Sequence, residues 1–171
     1  MERRKVSEQA RLPGWLKVAN PAIVALQRRG VVIGTMRLLS VPGRKSGKLR
    51  TTPVSPLTVG GERYIIAGLE EADWVKNARS AGWGILARGR DRERVDLVEL
   101  PTEERGPVLR EFPQEVPHGV RYFRQLYGIS GTPAEFEGWR PCVRCSGWRR
   151  LRRDLNRGDL RWGAGTPLRR L

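Results

Sequence analysis

A short glycine-containing segment carries the densest group of potential ligand-binding side chains. It reads Gly43-Arg44-Lys45-Ser46-Gly47-Lys48-Leu49-Arg50-Thr51 and holds four cations in the seven residues from Arg44 to Arg50. Arginines can bind phosphate or carboxylate oxygens through two hydrogen bonds, whereas lysines act as point charges. The glycines let a ligand approach the backbone closely, and Ser46, Thr51 and backbone N–H groups add donors. The segment has the chemistry of an anion-binding hairpin, although a solvated basic turn accounts for the same residues equally well.

Two cysteines and one histidine are the other residues that could bind a metal or react. Cys142 and Cys145 have CxxC spacing, but a structural zinc site needs four ligands and a thioredoxin-like motif needs a β-α-β context. The chain has one histidine, His118, and no second cysteine pair. We interpret both cysteines as incidental thiols and His118 as a loop residue, and we predict no metal site.

The charge of the chain restricts its partners. Its 171 residues include 33 Lys or Arg and 18 Asp or Glu, which gives a formal net charge of +15. A field of that size attracts nucleic acid, an acidic membrane surface, or a phosphorylated or polycarboxylate ligand. Residues 142–171 hold nine arginines and two aspartates, so almost half of the excess charge lies there.

No segment indicates export or a membrane-spanning helix. The basic N-terminus is not followed by the apolar stretch of a signal peptide, and no run of about 18 apolar residues occurs. We therefore expect a cytoplasmic protein. A helix predicted over residues 20–30 could contact a membrane surface peripherally, but packing on the core is favoured because it is short and lacks a broad basic face.

The periodicity of apolar residues predicts an antiparallel α+β arrangement. Turn signals occur at Gly60-Gly61 and in the charged stretch from Gly89 to Glu93. After the first helix, strands are predicted over residues 36–41, 49–59, 63–68, 84–88 and 94–100, and helices over residues 72–80, 101–116 and 119–128. Pro53 and Pro56 favour an edge or a bend in the strand over 49–59. Tyr122, Phe123 and Tyr127 on the last helix could line a pocket, but such a stripe is more often core.

The basic segment and the elements after it resemble the deazaflavin (F420)-dependent nitroreductase and quinone reductase family. Members have T-G-R-K-S-G-x-x-R-T-x-P after a strand, then a hairpin, then a helix with Trp-x-x-Asn. Here Gly43–Val54 matches the first motif, Gly60–Ala67 matches the hairpin and Trp74-Val75-Lys76-Asn77 matches the helix. The resemblance covers roughly residues 36–128.

The resemblance implies a fold, a cofactor and a site. The fold is a split β-barrel, an FMN-binding-like antiparallel barrel with flanking helices, and the cofactor is coenzyme F420, whose ring carries a phosphate and an oligoglutamate tail. The basic segment would bind these anions, and the ends of two strands and the Trp-x-x-Asn helix would surround the ring. The implied cofactor-binding residues are Arg44, Lys45, Ser46, Gly47, Arg50, Thr52, Pro53, Ala67, Gly68, Trp74 and Asn77. No catalytic residue is assigned, because hydride transfer from a bound cofactor requires no protein nucleophile.

Two features depart from the family's pattern. Many members have a Ser and a Gly-Gly pair after the second strand, where this chain has Gly68-Leu69-Glu70-Glu71. The two carboxylates could form a catalytic acid pair, but the interpretation that they favour the start of the next helix is preferred. Members usually end in a short apolar strand, but this chain has Pro141-Cys142-Val143-Arg144-Cys145. We hypothesise that a reading-frame change or an unusual terminus replaces that strand.

The sequence predicts three regions and one function. The regions are an N-terminal helical segment (1–30), a split-barrel cofactor domain (31–140) and a basic, poorly ordered tail (141–171). The predicted enzyme transfers hydride from reduced F420 to a small organic acceptor (a quinone, enone or nitroaromatic) and could form a homodimer. The alternatives are a non-catalytic binder of FMN, haem breakdown products or lipid on the same scaffold, and a nucleic-acid-binding module. No specific nucleic acid is expected, because no known nucleic-acid-binding motif occurs.

Overall fold

Helices and strands alternate along the chain in an α+β order. The computed structural model describes residues 14–69, 71–139 and 142–150, with side chains over 21–69, 71–125 and 127–139. The elements are α1 (Gly14–Arg28), β1 (Arg37–Pro42), β2 (Leu49–Val54), β3 (Leu57–Val59), β4 (Glu62–Ile66), α2 (Asp73–Ala81), β5 (Trp83–Arg88), β6 (Asp91–Glu99), α3 (Thr102–Glu115), α4 (Pro117–Tyr127), α5 (Pro133–Glu137) and β7 (Cys142–Arg150).

The described strands form one seven-stranded sheet in the order β2-β1-β5-β6-β7-β4-β3. Every pair of neighbours is antiparallel, so the predicted antiparallel α+β class is confirmed. The edge strands β2 and β3 do not pair with each other, so hydrogen bonds among the described strands do not close a barrel. Both edges are poor partners, because Pro53 in β2 lacks an N–H donor and β3 has three residues.

Residues 142–150 form β7 between β6 and β4, where the sequence analysis expected a poorly ordered tail and no final strand. Val143 pairs with Ile65 of β4 on one side and with Glu99 of β6 on the other. Backbone pairing of this kind does not require alternating apolar residues in the strand itself. Strand β7 was therefore not recognisable in the Arg-rich sequence. The rest of the predicted tail, residues 151–171, lies outside the described residues.

Four other features differ from the sequence prediction, and the first is His118, which lies in the first turn of α4 rather than in a loop. Helix α1 begins at Gly14 rather than near residue 20 and continues through Pro21, although an interior proline removes a helical hydrogen bond. The single strand predicted over 49–59 is divided into β2 and β3 at Ser55-Pro56. The short α5 was not predicted, and it starts with a capping box in which Thr132 and Glu135 each satisfy the other's backbone N–H.

Two apolar clusters fill the interior. The first joins the sheet to Ala78 of α2, with Trp74 and Ala81 packed against it, and its strand residues are Leu39, Val41, Val54, Ile65, Leu86, Val95 and Leu97. The second joins α3, α4 and α5 to the β3 end of the sheet. Its centre is three phenylalanines, Phe112, Phe123 and Phe136, whose ring centroids lie 4.9–5.4 Å apart. Phe123 is 3% exposed, so this member of the aromatic stripe is core.

One carboxylate connects the helices of the two clusters. Glu99, at the end of β6, accepts from Arg79 Nε of α2 at 2.5 Å and from Arg105 Nη2 of α3 at 3.2 Å. The hydrogen bond from Arg79 lowers the pKa of Glu99 against the opposing effect of burial. Arg105 also donates to the carbonyl of Leu100 at 2.7 Å, which fixes the start of α3 against the sheet.

A second carboxylate forms the most buried ion pair among the described residues. Glu93 Oε1 of β6 lies 2.5 Å from Arg63 Nη1 of β4, and the two side chains are 18% and 5% exposed. The Glu93→Gln substitution should lower the free energy of unfolding by about 3 kcal/mol, because it leaves a buried guanidinium short of its opposite charge. Chemical denaturation measures this change.

The matched control for Glu93→Gln is Glu137→Gln. Glu137 pairs with Arg110 at 2.9 Å, but these side chains are 45% and 57% exposed. An exposed pair contributes up to about 1 kcal/mol, so this variant should remain close to the parent. Equal losses in the two variants would contradict the assignment of Arg63–Glu93 as a stabilising buried pair.

Candidate functional site

The basic segment is a tight loop between β1 and β2. The amide of Gly43 donates to the carbonyl of Lys48 at 2.9 Å, and the amides of Ser46 and Gly47 donate to the carbonyl of Gly43 at 3.2 and 2.8 Å. A Cβ added to Gly43 would lie 3.2 Å from Ser46 Oγ and 3.3 Å from the Lys48 oxygen. Gly47 has φ +65°, which favours glycine. The loop conformation therefore favours glycine at Gly47, and a side chain at Gly43 would need Ser46 or the Lys48 carbonyl to shift by a few tenths of an ångström.

Helix α2 holds this loop through one buried amide. Asn77 is 5% exposed, and its Oδ1 accepts from both the backbone N and the Nη1 of Arg44, each at 3.1 Å. Arg44 Nη1 also lies 3.0 Å from Asp73 Oδ1, but that carboxylate is 83% exposed and the ion pair contributes little stability. Asn77 is thus the residue that fixes Arg44 and the start of the loop.

A cleft of about 480 Å³ lies between the loop, β2 and α2. This volume falls within the range of small-molecule sites, roughly 300–1,000 Å³. Its lining consists of Gly43, Arg44, Lys45, Ser46, Arg50, Thr51, Thr52, Asp73, Trp74 and Asn77. Hydroxyl groups, an amide and one indole therefore accompany the charged groups in the lining.

The cleft carries a surplus of positive charge. Its lining has three cations and one carboxylate, and that carboxylate, Asp73, is paired with Arg44. Lys45 and Arg50 are exposed, and no acidic side chain among the described residues forms an ion pair with either. An anionic ligand would therefore find two cations that do not have to break an existing ion pair.

Apolar and hydroxyl groups complete the lining on opposite sides. Trp74 is half-buried, because it packs against the first core cluster while still lining the cleft. On β2, Thr51 Oγ1 lies 2.8 Å from Ser40 Oγ and 3.4 Å from Arg28 Nη2 of α1. The cleft thus combines a fixed aromatic surface with a hydroxyl network that extends to α1.

The structure brings together most of the residues that the resemblance implied. Seven of them line the cleft: Arg44, Lys45, Ser46, Arg50, Thr52, Trp74 and Asn77. Gly47 lines a second cleft of about 410 Å³ on the other side of the loop, and Pro53 is a half-buried residue of β2 outside both linings. Asp73 was missing from the predicted site, although its spacing from Asn77 (i, i+4) puts the two side chains on one helix face.

Ala67 and Gly68 lie elsewhere, covered by aromatic side chains. Trp139 Nε1 donates to the carbonyl of Ala67 at 3.2 Å, and the Tyr127 hydroxyl donates to the carbonyl of Gly68. The Tyr122 ring would be 2.6 Å from a Cβ added to Gly68, so only glycine fits there. Neither residue lines the cleft, and their assignment to the site stays a prediction.

Burial further stabilises the neutral form of the two tyrosines at Gly68. It raises the pKa of Tyr122, and it raises the pKa of Tyr127 to about 12. Both hydroxyls are therefore protonated at neutral pH, and Tyr127 can act as a hydrogen-bond donor.

Comparison with known proteins relates the fold to solved structures. No known family profile matches the chain, and neither does any curated protein. The structure of an F420-H2 dependent reductase (FDR-A) aligns at 17% identity over 68% of this chain and 98% of that one, with a TM-score of 0.49. A structure described as a domain-swapped dimer aligns at 19% identity over 77% and 97%, with a TM-score of 0.50. The Agrobacterium tumefaciens protein Atu2129, of unknown function, aligns at 12% identity over 85% and 60%, with a TM-score of 0.49. At these identities the likeness concerns the fold alone.

Metal binding finds no support among the side chains that the structure describes. No group of three or more His, Cys, Asp or Glu residues in that part of the chain could hold an ion. The side chains of Cys142 and Cys145 lie outside the described set.

The Asn77→Leu substitution should loosen the loop. It removes the acceptor of two partly buried hydrogen bonds from Arg44, and at roughly 0.5–1.5 kcal/mol for each bond the pair contributes about 1–3 kcal/mol. We expect a loss of that size in the free energy of unfolding and faster hydrogen exchange at the Arg44 amide.

The Asp73→Asn substitution is the control for Asn77→Leu. Its carboxylate is exposed and binds the same guanidinium, so the expected loss is below about 1 kcal/mol with little change in exchange at Arg44. An unchanged Arg44 amide in Asn77→Leu would show that Asn77 does not fix the loop.

Proposed function

We propose that this chain is a cytoplasmic oxidoreductase that binds an F420-type deazaflavin in the cleft and passes hydride to a small organic acceptor. The observation that carries the proposal is the pair Lys45 and Arg50, two cations without an ion pair among the described residues, in a cleft that Trp74 also lines. A cofactor that combines a flat ring with phosphate and carboxylate groups matches this lining. A neutral or cationic ligand would leave the surplus positive charge uncompensated.

Different residues of the cleft would bind different parts of the cofactor. Lys45 and Arg50 would hold the anionic part, with Ser46 as a hydroxyl donor, and Thr52 would lie beside the ring. Asn77 would keep the loop in place, and Trp74 would shield part of the cleft from water. When bound, a reduced deazaflavin supplies the hydride, so the protein's task is to position and shield the reactants.

We also propose that the chain forms a homodimer. The support is that the solved structure with a TM-score of 0.50 is described as a domain-swapped dimer. Light scattering of the purified protein at micromolar concentration would measure the mass directly.

Cofactor titration tests the proposal. Cofactor fluorescence should report micromolar binding of F420 and weaker binding of FMN, and affinity for F420 should fall as salt rises. Lys45→Gln and Arg50→Gln should each weaken F420 binding about tenfold, because each removes a charged hydrogen-bond donor. Arg110→Gln is the control, since it removes the same charge from α3, away from the cleft lining.

Three outcomes separate the competing functions. Absence of F420 binding by folded protein, or equal losses in Arg110→Gln and Arg50→Gln, would overturn the cofactor site. Tight binding without turnover of quinones, enones or nitroaromatics would leave a non-catalytic cofactor binder. Displacement of bound F420 by nucleic acid at physiological salt would instead favour the nucleic-acid-binding alternative.

A further inference from the structure

Exposed aliphatic side chains are concentrated at the end of α1. Among the described residues, the most exposed large apolar side chains include Leu26 (46%), Val31 (45%) and Val32 (50%), which fall within seven residues of sequence. Scattered exposed apolar residues are normal on a protein surface, but a cluster indicates an interaction site. No described helix is long and apolar enough to cross a membrane.

The fold brings cations from two parts of the chain to this cluster. Arg29 is exposed and lies three residues after Leu26, on the same side of the helix end. The turn between β5 and β6 packs against the same segment: a Cβ added to Gly30 would lie 3.5 Å from Arg90 Nε, and one added to Gly89 would lie 3.3 Å from Val32 Cγ2. We call Leu26, Arg29, Val31, Val32 and Arg90 the docking patch.

The backbone fixes the docking patch in place. The amide of Gly30 donates to the carbonyl of Gln27 at 2.9 Å, and the amide of Val31 donates to the carbonyl of Leu26 at 3.2 Å. Gly30 has φ +99°, which turns the chain sharply after the helix. The valines are therefore held at the surface beside Leu26.

The composition of the docking patch discriminates between occupants. A second copy of the chain, docked through the same patch, would place arginines against arginines. Single-stranded nucleic acid is bound by cations together with aromatic rings that stack on bases, and the exposed apolar residues here are aliphatic. A surface with anionic groups above a hydrocarbon layer matches both the arginines and the aliphatic side chains.

We propose that the docking patch binds the surface of an anionic lipid bilayer. Leu26, Val31 and Val32 enter the boundary between headgroups and acyl chains, and Arg29 and Arg90 lie at the level of the lipid phosphates. From its sequence, this helix was expected to pack on the core, because it lacks a broad basic face of its own. In the fold, Arg90 of the β5–β6 turn adds a second cation beside this helix end. This inference does not depend on the proposed cofactor.

Vesicle sedimentation with the full chain tests the apolar part of the patch. We expect binding to vesicles of phosphatidylglycerol and phosphatidylcholine in equal parts, and much weaker binding to pure phosphatidylcholine. The double substitution Val31→Ser, Val32→Ser should lower the partition coefficient about tenfold, because less apolar surface enters the bilayer. Val98→Ser is the control: Val98 is 45% exposed but lies on β6, outside the patch.

Charge substitutions test the cationic part. Arg29→Gln and Arg90→Gln should each lower the partition coefficient about fivefold, the change expected for one arginine at an anionic surface. Arg110→Gln removes one charge outside the patch and should change binding less than twofold. Thermal unfolding of each variant verifies that it is folded before vesicles are added.

Each result supports or overturns the proposal. Selective losses in the valine, Arg29 and Arg90 variants support it. No vesicle binding would overturn it. Equal losses in the Val98 and Arg110 controls would show only general attraction by the +15 chain and would also overturn it. A solution dimer that Val31→Ser, Val32→Ser dissociates would assign the patch to a second copy, and selective loss of nucleic-acid binding in the same variants would assign it to a nucleic acid.

Discussion

The pairing of β7 with both of its neighbours is the interaction on which the rest of the structure depends. Among the described strands, β7 alone connects the group β2-β1-β5-β6, which carries the cleft, to the group β4-β3, which packs against α3. Without it, the edges of β6 and β4 would present unpaired N–H and C=O groups, which proteins avoid. Because β4 is held in this register, Ile65 joins Leu39 and Leu86 in the first core cluster. A strand in an Arg-rich segment thus maintains a core made by other strands.

The sequence predicted the elements whose signals are local. The Gly60-Gly61 turn has φ values of +59° and +82°, and Gly82 ends α2 in the left-handed conformation, as the turn and stop signals indicated. By contrast, β7 depends on partners 44 to 82 residues away, and its own apolar pattern is weak. The prolines indicated an edge or a bend within residues 49–59, but threonine and valine favour a strand on both sides of Ser55-Pro56, so two separate strands were not predicted. The apolar periodicity of the sequence therefore could not predict which distant strands pair with each other.

The candidate site likewise has one part that was predicted from the sequence and one part that was not. The loop and α2 were identified by matched residues that are close in sequence, and they meet in space because Asn77 accepts two hydrogen bonds from Arg44. Motif matching could name Asn77, but it could not show that its amide is directed at the loop rather than at a ligand. The position of Ala67 and Gly68 was not predictable, since their cover comes from Tyr127 and Trp139, far along the chain.

The net charge of the chain becomes informative once it is assigned to surfaces. One group of cations lines the cleft, and another surrounds exposed aliphatic side chains at the end of α1. Arg28 lies between them, since its Nη2 is 3.4 Å from Thr51 Oγ1 in the cleft lining while its own helix end carries the patch. Exposed cations interact over roughly 8–10 Å at physiological salt, so nearby positive groups raise each other's free energy until an anion is bound.

Such repulsion favours anionic ligands at both surfaces, but the surfaces differ in their apolar component. An indole packed on the core suits a flat ring, whereas aliphatic side chains directed into solvent suit a hydrocarbon boundary. Charge alone would attract any polyanion, and the apolar groups beside each set of cations are what make two different ligands physically reasonable.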